Sequence, residues 1–516
     1  MTERDDLSAE RSYKLANVWR LRGKTALAMK GYSEALQVCP SHLDACLELA
    51  ELWEGKGAIN KAIEICQNTL NHLPESDRLQ ERIGELKERL DRESVRCSGP
   101  RTGRNKVRPG AADPANSGAA HIVFYTDCSG IYGAEKYNHL LMCEMTRWGF
   151  RVTCAQPEAS HDLIDERCQI GITHHWLREN SLYDRKLSAA AMRDISEARS
   201  ILEAVQPDLI FFGDGCPVSN LGAKMEAARQ EIPYLMLNHC VSSEWAGKFN
   251  DLLGELPSIY GHAAGVVAVS RQNLDLLHQL FGLPENKGLV IYSGVPSDFF
   301  AEPQKSVRAC LREELGLSED TVVCLTAARM EIMKGYQYLL EALKILQTRE
   351  VWGKLHFVWL GTGTLEHRLR SWAEKMDLKK RVSFLGQRSD VADWLDMADI
   401  YILPSQFEGL PVSVLEAMAK GLPVLATAVS GTPEALGDTG RLLPDPNCDR
   451  QALIEALAST IESMALDPEL RRDVSRQSRE RAEHLFTEER MLSEYKRLLD
   501  KILKNPILFW GQSEID

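Results

Sequence analysis

Short apolar runs alternate with helical stretches in two series along this chain, and that alternation constrains its fold more than any other feature. The first series lies at residues 121–127, 151–156, 208–214, 234–239, 265–270 and 288–294; the second at 321–328, 355–361, 381–386, 400–404 and 423–429. Runs too short for helices, separated by helices, predict βαβ units and a parallel sheet covered on both faces. Two series predict two Rossmann-like α/β domains, at 120–299 and 300–484, joined near 299–305, where proline and mixed charge mark a hinge. Residues 485–516 are expected to form a closing helix and tail.

A different period precedes the sheets. Leu15 and Leu49, Ala16 and Ala50, Trp19 and Trp53, Gly23 and Gly57, Ala28 and Ala62, and Pro40 and Pro74 are each thirty-four residues apart. This is tetratricopeptide spacing: two helices per repeat, alanine where they cross, glycine between them and proline at the end. An all-α domain at 1–96 is expected, with 76–96 as a charged capping helix. It would offer a surface to a partner protein or serve as a spacer. Residues 97–119, rich in Gly, Pro and Ser, have too few apolar side chains to order themselves and predict a flexible linker. Its basic cluster Arg101, Arg104, Lys106 and Arg108 is either simply solvated or a peripheral contact to an anionic inner membrane face.

With 516 residues the chain is too long for one core, and its formal charge of −13 argues against nucleic acid as a partner. The 13 cysteines are odd in number, contain no Cys-x-x-Cys and mostly sit in apolar runs. They predict reduced core thiols and a cytoplasmic setting. The charged first residues and the lack of an apolar run of ~18 residues predict neither signal peptide nor membrane helix.

Residues 404–434 read PSQFEGLPVSVLEAMAKGLPVLATAVSGTPE. They predict strand, loop and then a helix over 411–420, with Pro411 as its first residue and Gly421 as its stop. The N-terminus of such a helix, from Gly409 through Leu410 to Val412, stabilises an anion without any basic side chain. Glu408 on the loop and Glu416 inside the helix would reach one ligand from different heights, an arrangement suited to a polyol; the alternative is ordinary surface charge. Arg329 after the first strand of the second series, and Lys334 just before the next helix, are cations placed to hold a diphosphate. His239 ends a strand at the edge where open α/β sheets bind ligands. The loop leading to Gly133-Ala134-Glu135 lacks Gly-x-Gly-x-x-Gly and is no dinucleotide fingerprint. No Asp-x-Asp and no spaced His/Cys cluster predicts a metal site.

The 404–434 string closely resembles the Glu-x7-Glu signature of glycosyltransferase family 4, retaining enzymes of the GT-B fold in which two Rossmann-like domains face a cleft. The resemblance runs from about residue 121 to about 503, with Gly409-Leu410-Pro411 where many members have Gly-Phe-Gly, Tyr132 in place of a glycine, and Ser293 where asparagine is common. It implies a nucleotide-diphosphate sugar as donor, held by the second domain, and an acceptor glycan, lipid or protein on the first. It further implies Glu408 on the sugar hydroxyls, Glu416 on the ribose, Arg329 and Lys334 on the diphosphate, and Gln387 and Arg388 beside the base. His239 would lie near the anomeric centre and Gly133 at the cleft. No cofactor is implied, and charge on the leaving group falls to Arg329, Lys334 and the helix terminus instead of a metal. The rival readings are an epimerase or phosphorylase of the same fold, and a repeat scaffold with a non-catalytic transferase domain.

Overall fold

Among the described residues, seven strands form one parallel sheet and six form a second. The computed structural model describes residues 9–10, 12–14, 16–17, 20, 25–55, 59–96, 119–128, 133–159, 162–178 and 188–504. The linker and its basic cluster, except for its last residue, lie outside the described residues, as do Leu15, Trp19, Gly23, Gly57 and Tyr132. The chain divides into two compact units, residues 1–106 and 107–516.

In the first unit, helices Thr25–Val38, Leu43–Gly55, Ile59–Leu70 and Asp77–Arg96 each pack on the next. The small residues of the thirty-four-residue period, Ala16, Ala28, Ala50 and Ala62, are fully buried where helices meet. A Cβ on Gly31 would stand 2.8 Å from that of Ala16, so the close crossing depends on small side chains. Helix Asp77–Arg96 closes the stack by burying Leu79, Ile83 and Leu86.

The second unit begins with β1 (His121–Thr126), β2 (Arg151–Pro157), β3 (Thr173–Leu177), β4 (Leu209–Asp214), β5 (Tyr234–Asn238), β6 (Gly265–Ala268) and β7 (Leu289–Val290). Their order is β3-β2-β1-β4-β5-β6-β7, with every pairing parallel. The next six, β8 (Val322–Ala327), β9 (Leu355–Leu360), β10 (Val382–Phe384), β11 (Ile400–Leu403), β12 (Val424–Thr427) and β13 (Arg441–Leu443), are ordered β10-β9-β8-β11-β12-β13, again all parallel. Strand order reverses between β1 and β4 in one sheet and between β8 and β11 in the other. Beyond the carboxyl ends of such a pair lies the crevice where open α/β sheets take ligands.

The run at 288–294 shortens to the two residues of β7, because Ile291 to Val295 leave the sheet and cross to the C-terminal segment. Val295 bridges Thr487 there, and a Cβ on Gly294 would stand 2.5 Å from the Glu488 backbone. The last helix, Glu488–Lys504, packs on helix Gly133–Arg147 of the first domain, with Tyr137 Oη 3.0 Å from Tyr495 Oη. One apolar cluster therefore includes Phe124, Phe211 and Leu235 of the first sheet, Leu325 and Tyr401 of the second, and Tyr495 and Ile502 of this helix.

Candidate functional site

Arg329 follows β8 and Glu408 follows β11, the two strands between which the order reverses, so topology brings both to one crevice. The loops are locked together by backbone. Gly335 has φ +74°, and a Cβ on it would meet the Pro404 carbonyl oxygen at 1.8 Å, so only glycine fits. Gln406 N–H donates to the Met333 carbonyl at 2.7 Å. This close approach sets Lys334 beside Glu408: Nζ donates to Oε1 at 2.6 Å, and Ser405 Oγ donates to the same oxygen at 2.7 Å. Glu408 is buried, and its amide donates to Ser430 Oγ at 3.2 Å. A charge-assisted pair in partial burial orients both groups before any ligand arrives.

Helix Val412–Ala419 begins immediately beyond, one residue later than expected, because Pro411 takes the cap position with extended backbone and not the first helical turn. Gly421 ends it at φ +69°. The loop before it faces the first domain, where a Cβ on Gly409 would stand 2.1 Å from the His239 carbonyl oxygen and 3.1 Å from Cys240 Sγ. Leu410 is buried in the shared core. The Cys240 thiol is pushed up to about 11 by burial and by Glu408, with Lys334 and Arg329 pulling the other way. Arg329 itself is exposed. One sulfur thus senses the carboxylate and both cations that sequence singled out.

Glu416 is partly buried on the helix, and burial raises its carboxyl to about 7, partly offset by the Lys136 ammonium at the start of helix Gly133–Arg147. His239 follows β5, buried, with its ring edge-on to Tyr137 at 5.0 Å and Nε2 2.9 Å from Asn138 Oδ1. Asn138 Nδ2 reaches the Gly213 carbonyl at 3.4 Å, an oxygen that only accepts, so Oδ1 must face the histidine. His239 Nε2 therefore carries the proton, and burial lowers the ring to about 4, keeping it neutral with Nδ1 as acceptor.

Other expected residues stand further from this centre or are committed elsewhere. Arg388 donates to both carboxylate oxygens of Asp390, at 2.8 and 2.5 Å, and lies over Trp394, so it is presented as an ion pair and not as an open cation. Gln387 is exposed beside it. Gly133 is exposed at the first position of its helix, while Glu135 two residues on is fully buried against Arg167 at 2.7 Å. Sequence reasoning missed Asn138, Lys136, Ser405, Ser430 and Cys240. Ser405 and Ser430 lie inside the 404–434 stretch, and Lys136 directly follows Gly133-Ala134-Glu135. Among the described residues, no group of three or more His, Cys, Asp or Glu is arranged to hold a metal ion.

Residues 131–299 match the family described as Glycosyltransferase Family 4, and residues 307–481 match Glycosyl transferases group 1. Each of the two Rossmann-like domains thus matches a family model of glycosyltransferases. The N-acetyl-alpha-D-glucosaminyl L-malate synthase of Bacillus anthracis is 28% identical over 46% of this chain and 60% of its own length. The UDP-Gal:alpha-D-GlcNAc-diphosphoundecaprenol alpha-1,3-galactosyltransferase of Escherichia coli is 33% identical over 28% of this chain and 37% of its own. The chain spans about half the length of the curated relatives it matches. Among solved structures, Anabaena HepE in complex with UDP and glucose superposes with a TM-score of 0.61 at 19% identity, over 73% of this chain and 99% of that one. A glycosyltransferase from Rickettsia africae gives 0.60 at 19% identity, over 75% and 100%. At this identity the likeness establishes the fold, the two-domain GT-B arrangement.

Proposed function

We propose that the chain transfers a sugar from a nucleotide-diphosphate sugar to an acceptor with retention of anomeric configuration. The observation that carries the reading is the contact of Lys334 with Glu408 at 2.6 Å, at the mouth of helix Val412–Ala419 and beside Arg329. Lys334, Arg329 and the helix terminus supply positive charge for a diphosphate, while Glu408 offers acceptor oxygens to sugar hydroxyls. In the free protein Lys334 and Glu408 neutralise each other, and a donor would divide them, phosphate to the ammonium and sugar to the carboxylate.

Glu416, whose carboxyl is raised to about 7 by burial, is proposed to accept hydrogen bonds from ribose hydroxyls. In the front-face course implied by the family resemblance, the bond from the anomeric carbon to the phosphate oxygen breaks while the acceptor oxygen approaches on the same face. The acceptor proton passes to the departing phosphate oxygen, so no separate protein base is assigned. Neutral His239 then serves as a hydrogen-bond partner near the anomeric centre and not as a proton donor, since its pKa of about 4 leaves it without a spare proton near pH 7. Leaving-group charge is met by Arg329, Lys334 and backbone amides, and the transfer is proposed to need no metal.

HepE was solved with UDP and glucose, which makes UDP-sugars the first donors to try. The helical first unit, with its thirty-four-residue period, is proposed as a tetratricopeptide surface for the acceptor or a partner protein. No described helix is long and apolar enough to cross a membrane, and a cytoplasmic setting with at most peripheral membrane contact is proposed. The test is incubation of the purified chain with a panel of labelled nucleotide sugars, with and without EDTA. Slow hydrolysis of one donor that persists under chelation supports the reading; no binding of any nucleotide diphosphate refutes the donor site, and activity restored only by Mg²⁺ or Mn²⁺ refutes metal independence.

A further inference from the structure

Building on the donor-site reading, we propose that Glu434 is a positioning residue that ties the placement of Glu408 to closure of the first domain onto the second. Glu434 sits on the short helix Thr432–Leu436 of the second domain. Both of its carboxylate oxygens accept from Arg271 N–H, at 2.9 and 2.7 Å, and Oε1 also accepts from Tyr292 Oη at 2.6 Å. Arg271 opens helix Arg271–Phe281 and Tyr292 follows β7, so both donors belong to the first domain. A carboxylate at a helix N-terminus is stabilised by the otherwise unpaired amides and by the dipole.

The turn immediately before Glu434 grips the catalytic loop. Ser430 Oγ accepts from the Glu408 amide at 3.2 Å, and Gly431 N–H donates to the Gly409 carbonyl at 3.1 Å. Ser430 holds φ +49°, a left-handed conformation that a serine adopts only under constraint. Gly431 admits no side chain, since a Cβ would stand 2.2 Å from the Gly409 carbonyl oxygen and 3.1 Å from Ser270 Cβ. Behind the short helix, Arg481 donates to the carbonyls of Glu434 and Ala435 at 2.8 and 2.9 Å, which anchors the helix to the second domain. Hydrogen bonds from the first domain thus end on Glu434, the backbone from Glu434 back to Ser430 carries the connection, and hydrogen bonds from Ser430 and Gly431 pass it on to Glu408 and Gly409. When the domains part, Arg271 and Tyr292 withdraw, the strained turn at Ser430 relaxes, and Glu408 loses its seat. The arrangement would keep the sugar-binding carboxylate correctly placed only while the cleft is closed.

The test uses the full chain and the variants Glu434→Gln and Tyr292→Phe, each near-isosteric. Hydrogen exchange is followed in segments 405–410 and 428–434, with 322–327 and 355–360 as core controls, and UDP affinity is measured by titration. Both variants should raise exchange in both loop segments by at least about fivefold while leaving the core segments unchanged. UDP affinity, set by groups of the second domain, should stay within about threefold, while kcat for the donor falls more than KM changes. Faster exchange confined to 428–434, or no change in either loop, would overturn the coupling. A rise that includes the core segments would show a merely structural residue and overturn it equally. Wild-type chain that binds no UDP would count against that donor choice and leave the exchange result standing on its own.

Discussion

The carbonyl oxygen of His239 faces Gly409 so closely that a Cβ on the glycine would stand 2.1 Å from it. One residue directly follows β5 of the first domain and the other precedes the donor helix of the second, so the contact fixes how near the two halves of the site come. Gly409→Ala should force them apart. Overpacking of this kind costs about 1–3 kcal/mol, and displacing reacting groups by about 1 Å costs on the order of 100-fold in turnover. Thermal melts and donor hydrolysis on the variant check both, and wild-type rates would show that the contact lies away from the chemistry.

The pairing of Lys334 with Glu408 leads to a second expectation. Lys334→Ala and Arg329→Ala should each weaken binding of the nucleotide diphosphate, since a hydrogen bond to a charged group contributes about 1.5–3 kcal/mol. Calorimetric titration reads this as roughly 10- to 100-fold in affinity. Unchanged affinity in both would remove the two cations from the site.

Much of the site was legible because its residues cluster in short stretches: Arg329 with Lys334, and Glu408 with Glu416. What escaped depends on contacts between stretches far apart in sequence. Nothing in the order of residues tells that Asn138 fixes the tautomer of His239, that Lys136 looks toward Glu416, or that Glu434 caps Arg271. The missed strands have physical reasons as well. β3 reads THHWL, polar enough for an edge strand and without a clear apolar face, and β13 is the three residues RLL. The run at 288–294 looked like a strand because it is apolar, yet most of it crosses between domains and buries Ile291 and Val295 against the last helix.

Division of the chain into two compact units predicts that removing residues 1–106 leaves the remainder folded, because residues 107–516 carry their own apolar clusters. The truncated chain should melt cooperatively and bind nucleotide diphosphate as the full chain does. Insoluble or non-cooperative behaviour would mean that the first unit completes the second.

The last prediction separates the two glutamates by pH as well as by ligand. Burial raises Glu416 to about 7 from an ordinary 4.5, so its contribution to stability is present below pH 4.5 and lost as pH rises through 7. Glu416→Gln removes that loss. The free variant should match wild type near pH 4.5 and exceed it in melting temperature above pH 7, while binding nucleotide diphosphate more weakly, because a neutral amide replaces a charged acceptor. A residue that destabilises the free protein yet strengthens ligand binding is what a functional site, and not a packing role, requires. Glu408→Gln should behave differently: nucleotide affinity nearly unchanged, but turnover depressed, as for a group whose contacts tighten in the transition state. Melting curves at pH 5 and pH 8, with titrations and rates on both variants, distinguish the two roles. Equal losses of nucleotide affinity would show that the roles are not divided between them, and wild-type behaviour in both would remove the pair from the site.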